Sequence, residues 1–272
     1  MSGQIAFIGG GNMASAIIQG LLRQGAAGPE TILVVEPWQE ARDRLRQQFN
    51  IVAQAAPGPF LAKASTVVWA VKPQTFKDAA EPAASHTRAA LHLSVAAGIP
   101  SDSIARWLGN ERVVRAMPNT PALIGKGITA LYARAGIDAG QKQGVERIVR
   151  STGDLLWVDS EDKLDAVTAL SGSGPAYVFF FLEAMSEAGQ QMGLTQAQAY
   201  QLAVATFAGA SELARSSDDP PQVLRQRVTS KGGTTHAAIT SMEAAQMGPL
   251  FQQAMLAARD RAREMGQEFG GG

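Results

Sequence analysis

Residues 5–14 of this chain, IAFIGGGNMA, decide how its first half folds. The apolar run at residues 5–8 is typical of a buried strand, and residues 12–24 place apolar side chains at helical spacing. Between them lies the pattern G-x-G-x-x-A. Its first glycine makes a tight turn, and its second lets another group approach the backbone closely. The stretch therefore predicts a strand, a glycine turn and a helix that follow one another directly.

The same alternation of short apolar runs and longer amphipathic stretches continues to about residue 159. It predicts strands at residues 5–8, 31–35, 51–53, 66–71, 91–95, 112–116, 128–133 and 155–158. Strands separated by crossovers in this way predict a mostly parallel, doubly wound sheet with helices on both faces. Together with the glycine turn, this α/β arrangement indicates a dinucleotide-binding Rossmann domain over residues 1–159.

Beyond residue 159 the sequence changes character, because β-branched runs give way to stretches rich in Ala, Leu, Gln and Glu. Helices are predicted over residues 164–192, 195–216, 220–228 and 235–265. The segment 171–175, SGSGP, interrupts the apolar pattern of the first of these helices. It either kinks that helix or frees a backbone group for a ligand. Residues 160–272 are therefore predicted to form an all-α C-terminal domain.

The composition argues against several kinds of protein. With 24 Lys and Arg against 24 Asp and Glu, the formal net charge is zero, so we expect neither nucleic-acid binding nor attraction to anionic membranes. The chain has no cysteine and three widely spaced histidines, so we expect no disulfide framework and no metal site. No signal peptide or membrane-spanning stretch is recognisable, and the sequence therefore predicts a cytoplasmic protein.

Glu36 ends the second predicted strand, roughly 20 residues beyond the glycine motif, where dinucleotide-binding domains place a ribose-binding carboxylate. Such a carboxylate accepts hydrogen bonds from the ribose and repels a 2′-phosphate, so taken alone it favours NAD(H) over NADP(H). The equal alternative is a solvated carboxylate at a helix start, where its charge is stabilising in any case. Lys72, at another predicted strand end, either approaches a ribose or phosphate or is an ordinary surface lysine.

The helical half limits the hydride chemistry that such a cofactor could support. Residues 164–230 contain no lysine and no histidine, so the usual bases for alcohol oxidation are missing there. A cyclic imine can arrive already protonated. Its reduction requires that the protein position the imine carbon over the nicotinamide, bind the attached carboxylate and provide at most one hydroxyl to the nitrogen. The segment 228–235, VTSKGGTT, offers backbone N–H groups and hydroxyls for this task. The alternative is an ordinary loop whose Thr234 or Thr235 caps the last helix.

Five motifs in series resemble those of the pyrroline-5-carboxylate reductase family. They are GGGNMA at residues 9–14, AVKP at 70–73, AMPNTPA at 116–122, LSGSGPAY at 170–177 and VTSKGGTT at 228–235. The resemblance implies reduction of 1-pyrroline-5-carboxylate to L-proline with NADPH or NADH, the last step of proline biosynthesis. It also implies a Rossmann domain followed by a helical dimerisation domain, a homodimer, and in several members a decamer of five dimers.

The resemblance also assigns binding residues by position. The cofactor would contact Ile8, Gly9, Gly10, Gly11, Asn12, Met13, Ala70, Val71, Lys72, Pro73, Ala96, Ala97, Gly98, Met117 and Asn119, to which the spacing argument adds Glu36. The substrate would contact Ser230, Gly233, Thr234 and Thr235. The catalytic contact would be the hydroxyl of Thr235 with the ring nitrogen.

This sequence departs from the family pattern in three places. Lys231 stands where the family usually has proline, so the loop is less rigid and carries a charge beside the carboxylate site. Arg227 either steers the anionic substrate or is solvated, and Glu36 replaces a small polar residue that often faces the 2′-phosphate. His236 could relay a proton but is expected to lie on a helix surface. Two other functions stay open: a non-catalytic dinucleotide-binding regulatory protein and a β-hydroxyacid dehydrogenase, which the missing lysine and histidine disfavour.

Overall fold

The chain forms two compact units in the computed structural model, which describes residues 3–271. The first unit comprises the described residues of Met1–Ser173 together with those of Ala258–Gly272. The second unit is Gly174–Ala257. Within residues 3–271, none of the helices combines the length and the apolar character needed to cross a membrane.

The first unit is built on one seven-stranded sheet. Its strands are β1 (Gln4–Ile8), β2 (Ile32–Val35), β3 (Ala64–Trp69), β4 (Leu91–Ser94), β5 (Val113–Met117), β6 (Gly127–Ala133) and β7 (Gly153–Trp157). They lie in the order β2-β1-β3-β4-β5-β6-β7, and all neighbours are parallel except β5 and β6. The prediction of a mostly parallel, doubly wound sheet is confirmed.

Helices cover both faces of this sheet. They are α1 (Asn12–Arg23), α2 (Gln39–Phe49), α3 (Phe76–Ala84), α4 (Ser101–Leu108), α5 (Ala139–Val149) and the short α6 (Lys163–Val167). Ile5 and Phe7 of β1 pack in the apolar cluster formed with α1, α2 and α5, whereas Ala6 and Ile8 pack in the cluster formed with α3 and α4. Because strands β1 to β5 are largely buried on both faces, they read in the sequence as mostly apolar runs, whereas Asp154 and Leu156 of β7 are exposed.

The strand predicted at residues 51–53 is wrong. That segment makes a single isolated bridge, in which Gln54 pairs with Val35 at the end of β2. Pro57 follows shortly, and because proline has no backbone N–H, the pairing does not extend into a strand. The segment therefore hydrogen-bonds to the sheet at the carboxyl end of β2, and its Ile51 packs in the apolar core.

The strand order reverses at β1. The chain leaves β1 for β2 on one side and then crosses to β3 on the other side. In open α/β sheets, the carboxyl ends of the strands at such a reversal frame a crevice that binds ligands. The topology therefore points to the turns after β1 and β3.

The second unit is all-helical, as predicted. It contains α7 (Gly174–Gln191), α8 (Gln196–Arg215), α9 (Pro221–Arg227), α10 (Thr234–Ala244) and the first part of α11 (Met247–Gly270). The single helix predicted over residues 164–192 is interrupted, because a π-helical segment, Thr168–Gly172, separates α6 from α7. There the N–H of Ser173 donates to the carbonyl of Thr168 at 2.8 Å, the wide spacing of a π turn. The SGSGP segment thus marks a break between two helices.

The helix predicted over residues 235–265 is also two helices. α10 ends at Ala244 and α11 begins at Met247. Between them Gln246 has a φ of 52°, in the left-handed region that ends a helix. Glutamine is not a residue typical of that conformation, so the periodicity alone does not reveal the break.

Candidate functional site

A cavity of about 590 Å³ opens at the carboxyl ends of β1 and β3. It is framed by the glycine turn after β1, by the end of β2 and by the residues that follow β3. Seven of the residues predicted to bind a cofactor line it: Ile8, Gly9, Gly11, Glu36, Ala70, Val71 and Lys72. The structure thus brings predicted residues from three separate segments together at the topological reversal of the sheet.

The first glycine of the turn is required by the backbone that follows β3. Gly9 has a φ of 95°, which L side chains rarely adopt. A Cβ at this position would lie 2.5 Å from the carbonyl oxygen of Ala70. The N–H of Gly9 donates to the carbonyl of Val35 at 2.8 Å, so the turn is held from both sides.

Gly11 has a different role, because a Cβ built on it would meet nothing within 4 Å. It is the N-cap residue of α1 and provides no side chain to the free N–H groups of the first turn. These N–H groups and the positive end of the helix dipole favour an anion at this point. The open space beside them fits the pyrophosphate of a dinucleotide, and a side chain at position 11 would fill it.

Glu36 is a fixed carboxylate on the wall of this cavity. It is only 6% exposed, so the alternative of a solvated carboxylate is wrong. Its Oε2 accepts a hydrogen bond from the N–H of Gly10 at 2.7 Å, and its Oε1 accepts one from the N–H of Trp38 at 2.9 Å. The carboxylate therefore joins the end of β2 to the glycine turn.

The cavity has further lining residues that the sequence did not single out. They are Val35, Pro37, Trp38, Ala55, Ala56, Pro57, Thr75, Asp78, Ala79 and Pro82. Trp38 is 76% exposed, which is high for a large aromatic side chain. Its position two residues after Glu36 could have indicated from the sequence that it lines the same site. Asp78, Ala79 and Pro82 share one face of α3 by helical spacing.

The other residues predicted to bind the cofactor are not among the lining residues of this cavity. They are Gly10, Asn12, Met13, Pro73, Ala96, Ala97, Gly98, Met117 and Asn119. All of them follow the carboxyl ends of strands β1, β3, β4 and β5 or lie at those ends. They therefore share one edge of the sheet with the cavity, and their contacts with a cofactor stay predictions.

Two of these residues are fixed by contacts inside the first unit. Asn119 accepts the N–H of Ile128 at 3.0 Å and donates to the hydroxyl of Ser171 at 3.3 Å. Gly98 has a φ of 75°, and a Cβ there would lie 3.1 Å from the Cβ of Met265 in α11. The segments that follow β4 and β5 are thus held in place by close packing.

The residues predicted to bind the substrate surround the start of α10. Gly233 is the N-cap residue, and it has no side chain with which to cap the helix. Its N–H donates to the carbonyl of Ser230 at 3.0 Å, in a turn that places Gly232 at a φ of 77°. Thr234 and Thr235 are helical and exposed, so the alternative in which one of them is the capping residue is wrong. The first turn of α10 therefore leaves backbone N–H groups and two hydroxyls accessible.

Three basic residues lie in or near residues 228–233, which we call the 228–233 loop. Arg225 pairs with Glu243 at 3.2 Å, and Arg227 pairs with Asp219 at 2.5 Å. Arg227 is thus paired with a carboxylate, while its side chain stays 62% exposed. Lys231 is exposed and has no ion-pair partner within residues 3–271. It supplies a positive charge next to the uncapped helix start.

Two family models match the chain. The model described as pyrroline-5-carboxylate reductase dimerisation matches residues 161–265, and the model described as NADP oxidoreductase coenzyme F420-dependent matches residues 4–98. A pyrroline-5-carboxylate reductase of Pseudomonas aeruginosa is 42% identical over 98% of this chain and 98% of its own length. One from Haemophilus influenzae is 38% identical over 96% of this chain and 97% of its own.

Solved structures agree with these sequence matches. A pyrroline-5-carboxylate reductase from Coxiella burnetii superposes with a TM-score of 0.89 at 39% identity, and it covers 97% of this chain and 99% of that one. The Plasmodium falciparum pyrroline carboxylate reductase with NADP bound superposes with a TM-score of 0.87 at 26% identity, over 97% of this chain and 98% of that one.

Proposed function

Because this chain belongs to the pyrroline-5-carboxylate reductase family, we propose that the cavity at β1 and β3 holds its nicotinamide cofactor and that the start of α10 holds its substrate. The enzyme reduces 1-pyrroline-5-carboxylate to L-proline with NADPH or NADH, the last step of proline biosynthesis. The observation that carries the cofactor assignment is the uncapped helix start at Gly11, which offers N–H groups to an anion beside open space.

We assign the pyrophosphate of the cofactor to Gly9, Gly10 and Gly11 together with the first turn of α1. Lys72 lines the same cavity, and its ammonium group suits a phosphate or ribose oxygen. Residues 96–98 and 117–119, which follow β4 and β5, would flank the nicotinamide. When bound, a reduced nicotinamide supplies the hydride for the reaction.

We assign the substrate carboxylate to the backbone N–H of Thr234 and to the hydroxyl of Ser230, beside Gly233, whose own N–H closes the turn onto the Ser230 carbonyl. Backbone N–H groups and a positive helix end at this point favour a small anion over a neutral group. The Thr235 hydroxyl is assigned to the ring nitrogen. As the carbon–nitrogen double bond accepts the hydride at carbon, the nitrogen keeps its proton and becomes the amine of proline. A hydrogen bond at the nitrogen holds the neighbouring carbon in place for that step.

The chain self-associates through its helical half. In the second unit Phe179, Phe180, Tyr200 and Leu202 are 58%, 66%, 59% and 57% exposed in the single chain. Exposed apolar surface of this kind is typical of a permanent interface. We propose a homodimer as the basic assembly and a decamer of five dimers as the larger one, and light scattering on the purified protein distinguishes them.

We also propose a functional boundary after residue 159, with dinucleotide binding in residues 1–159 and substrate binding and dimerisation in residues 160–272. The end of β7 at Trp157 and the helices from Lys163 onward support this boundary. We also propose a cytoplasmic location, which imaging of a tagged protein would test.

The proposed reaction is tested with purified protein, 1-pyrroline-5-carboxylate and each reduced cofactor in turn. We expect oxidation of the cofactor and formation of an equal amount of proline. Cofactor binding without turnover would instead support a regulatory protein. Oxidation of a β-hydroxyacid with NAD or NADP, in the absence of imine reduction, would support a dehydrogenase. Either outcome would contradict the proposal.

A further inference from the structure

The part of the cavity beside β2 combines a fixed carboxylate with an exposed indole. Glu36 and Trp38 are two residues apart, and both line the cavity, but Glu36 is buried whereas Trp38 is exposed. Each oxygen of Glu36 already accepts one backbone N–H, from Gly10 or from Trp38. The carboxylate therefore cannot turn away from a ligand without the loss of two hydrogen bonds.

The chemistry of this carboxylate discriminates between two ribose types. A carboxylate oxygen has two acceptor sites, so Glu36 keeps capacity for further hydrogen bonds but has nothing to donate. A 2′-hydroxyl is a donor and satisfies that capacity. A 2′-phosphate carries about two negative charges and no matching donor, so it would be repelled.

The basic residue that contacts Glu36 is already hydrogen-bonded within its own segment. The guanidinium of Arg42, in α2, donates to the carbonyl oxygens of Glu36 and Pro37 at 2.8 and 2.6 Å. Its other nitrogen donates to the side-chain oxygen of Gln39 at 2.5 Å. Within the described lining of the cavity Lys72 is the one basic residue, and it follows β3, next to the glycine turn. Glu36 is therefore the charged side chain that lines the cavity at the end of β2, while the Arg42 charge is bound to backbone carbonyls outside that lining.

Trp38 supplies a flat apolar surface at the same place. It precedes α2 as its N-cap residue, and its indole has few neighbours in the chain. The other lining residues that approach the end of β2 are Ala55, Ala56 and Pro57, which are small and leave room for a planar ring. A nucleobase stacked on the indole would remove apolar surface of both partners from water.

We propose that Glu36 and Trp38 form the adenosine subsite of this enzyme, with adenine stacked on the indole and the ribose hydroxyls on the carboxylate, so that the enzyme selects NADH over NADPH. The proposal rests on the cofactor site proposed above and gives that site its specificity.

The test measures the binding of two cofactor fragments, ADP-ribose and 2′-phospho-ADP-ribose, to the full chain by calorimetry. We expect wild-type protein to bind ADP-ribose at least about tenfold more tightly than 2′-phospho-ADP-ribose, because the carboxylate of Glu36 would repel the 2′-phosphate. Glu36→Ser should bring the two affinities to within about threefold of each other by removing that charge. As a matched control, Glu40→Gln removes a charge from the exposed start of α2 outside the cavity, and it should leave the wild-type ratio unchanged. The ratio of kcat/KM for NADH and NADPH should follow the binding ratio in each variant.

Stacking is tested separately, because it does not depend on the 2′ substituent. Trp38→Ala should weaken both fragments by roughly tenfold and leave their ratio unchanged, while Trp38→Phe should retain most of the affinity. Unchanged affinities in Trp38→Ala would remove the indole from the subsite.

Equal or tighter binding of the 2′-phosphorylated fragment by wild-type protein would overturn the proposed specificity. A Glu36→Ser variant that weakens both fragments but keeps their ratio would also overturn it, because Glu36 would then only hold the glycine turn. The wild-type comparison needs no variant, so it decides even if Glu36→Ser does not fold. Absence of turnover would count against the proposed function alone, whereas a contrary binding ratio in an active enzyme would count against this proposal alone.

Discussion

The indole Nε1 of Trp69 donates a hydrogen bond to Nδ1 of His92 at 3.1 Å, between neighbouring strands of the sheet. Both side chains are fully buried. Burial, and to a smaller extent the charge of Arg112, lowers the pKa of His92 to about 4. The bond needs an Nδ1 without a proton, so the neutral ring carries its proton on Nε2. The fold therefore holds this imidazole neutral.

We expect the free energy of unfolding to fall as the pH falls from about 6.5 to about 4. In the unfolded chain His92 titrates near its ordinary pKa of 6.5, so within this window the unfolded state binds a proton that the folded state excludes. The stabilisation is fully present above the window, and its loss through His92 reaches about 3 kcal/mol at the acid end. Urea unfolding at a series of pH values measures this slope.

The variant His92→Gln keeps an acceptor for the Trp69 indole but does not titrate, so its unfolding free energy should depend less on pH in the same window. His236→Gln replaces an exposed histidine of α10 and should keep the wild-type slope. Equal slopes in wild type and His92→Gln would show that another group controls the acid response.

The two glycines of the phosphate turn should respond differently to alanine. Gly9→Ala places a Cβ against the Ala70 carbonyl at a positive φ, and it should destabilise the protein by about 2 kcal/mol or more. Gly11→Ala meets open space at an ordinary φ of −73°, so the protein should keep its stability to within about 1 kcal/mol. It should nevertheless weaken ADP-ribose binding by about tenfold, because the new methyl group enters the cradle. Thermal unfolding measures the effect on stability, and calorimetry measures the effect on ADP-ribose binding. Equal unfolding temperatures in the two variants would contradict the predicted difference in stability.

Thr235→Ala should lower kcat by at least about tenfold with a smaller change in KM, as expected when a hydrogen bond to the reacting nitrogen is lost. Thr235→Ser keeps the hydroxyl and should restore most of the rate. Thr240→Ala removes another exposed threonine of α10 and serves as the control. If turnover survives unchanged in Thr235→Ala, this hydroxyl takes no part in the reaction.

Lys231→Gln should raise the KM for the anionic substrate about threefold at low ionic strength and leave kcat nearly unchanged, because an exposed charge mainly attracts the substrate. The difference should shrink as salt is added, since exposed charges are screened over about 10 Å at 0.1 M. Lys63→Gln makes the same change of net charge on the first unit and should not affect KM. A salt-independent effect at Lys231 would point to a change in loop shape instead.

Strands β1 to β5 could be predicted from the sequence because they are largely buried on both faces, which leaves apolar runs between polar segments. The predicted strand at residues 128–133 differs by one residue from β6, Gly127–Ala133. The glycine turn was recognisable for a local reason as well, since the φ of 95° at Gly9 excludes most other residues.

The rest depended on contacts between distant parts of the chain. The residues next to Glu36 in the sequence do not reveal whether its carboxylate is solvated or buried. In the structure its carboxylate is held by a hydrogen bond from the N–H of Gly10, 26 residues earlier. Ala55 and Ala56 line the cavity because Gln54 forms a β-bridge with Val35. The local sequence around residue 54 does not predict this bridge. The left-handed Gln246 likewise ends a helix that amphipathic spacing continues.

The close contact between Gly98 and Met265 shows that the first unit is completed only after the chain has passed through the second. The helical unit is thus an insertion with two covalent connections, one at residues 173–174 and one at residues 257–258. A fragment that stops at residue 173 would lack Met265 and also Phe269, which packs on the cluster under α3 and α4. A single proteolytic cut cannot release either unit intact, whereas a circular permutant that links 258–271 to the start of β1 would keep the whole Rossmann core in one piece.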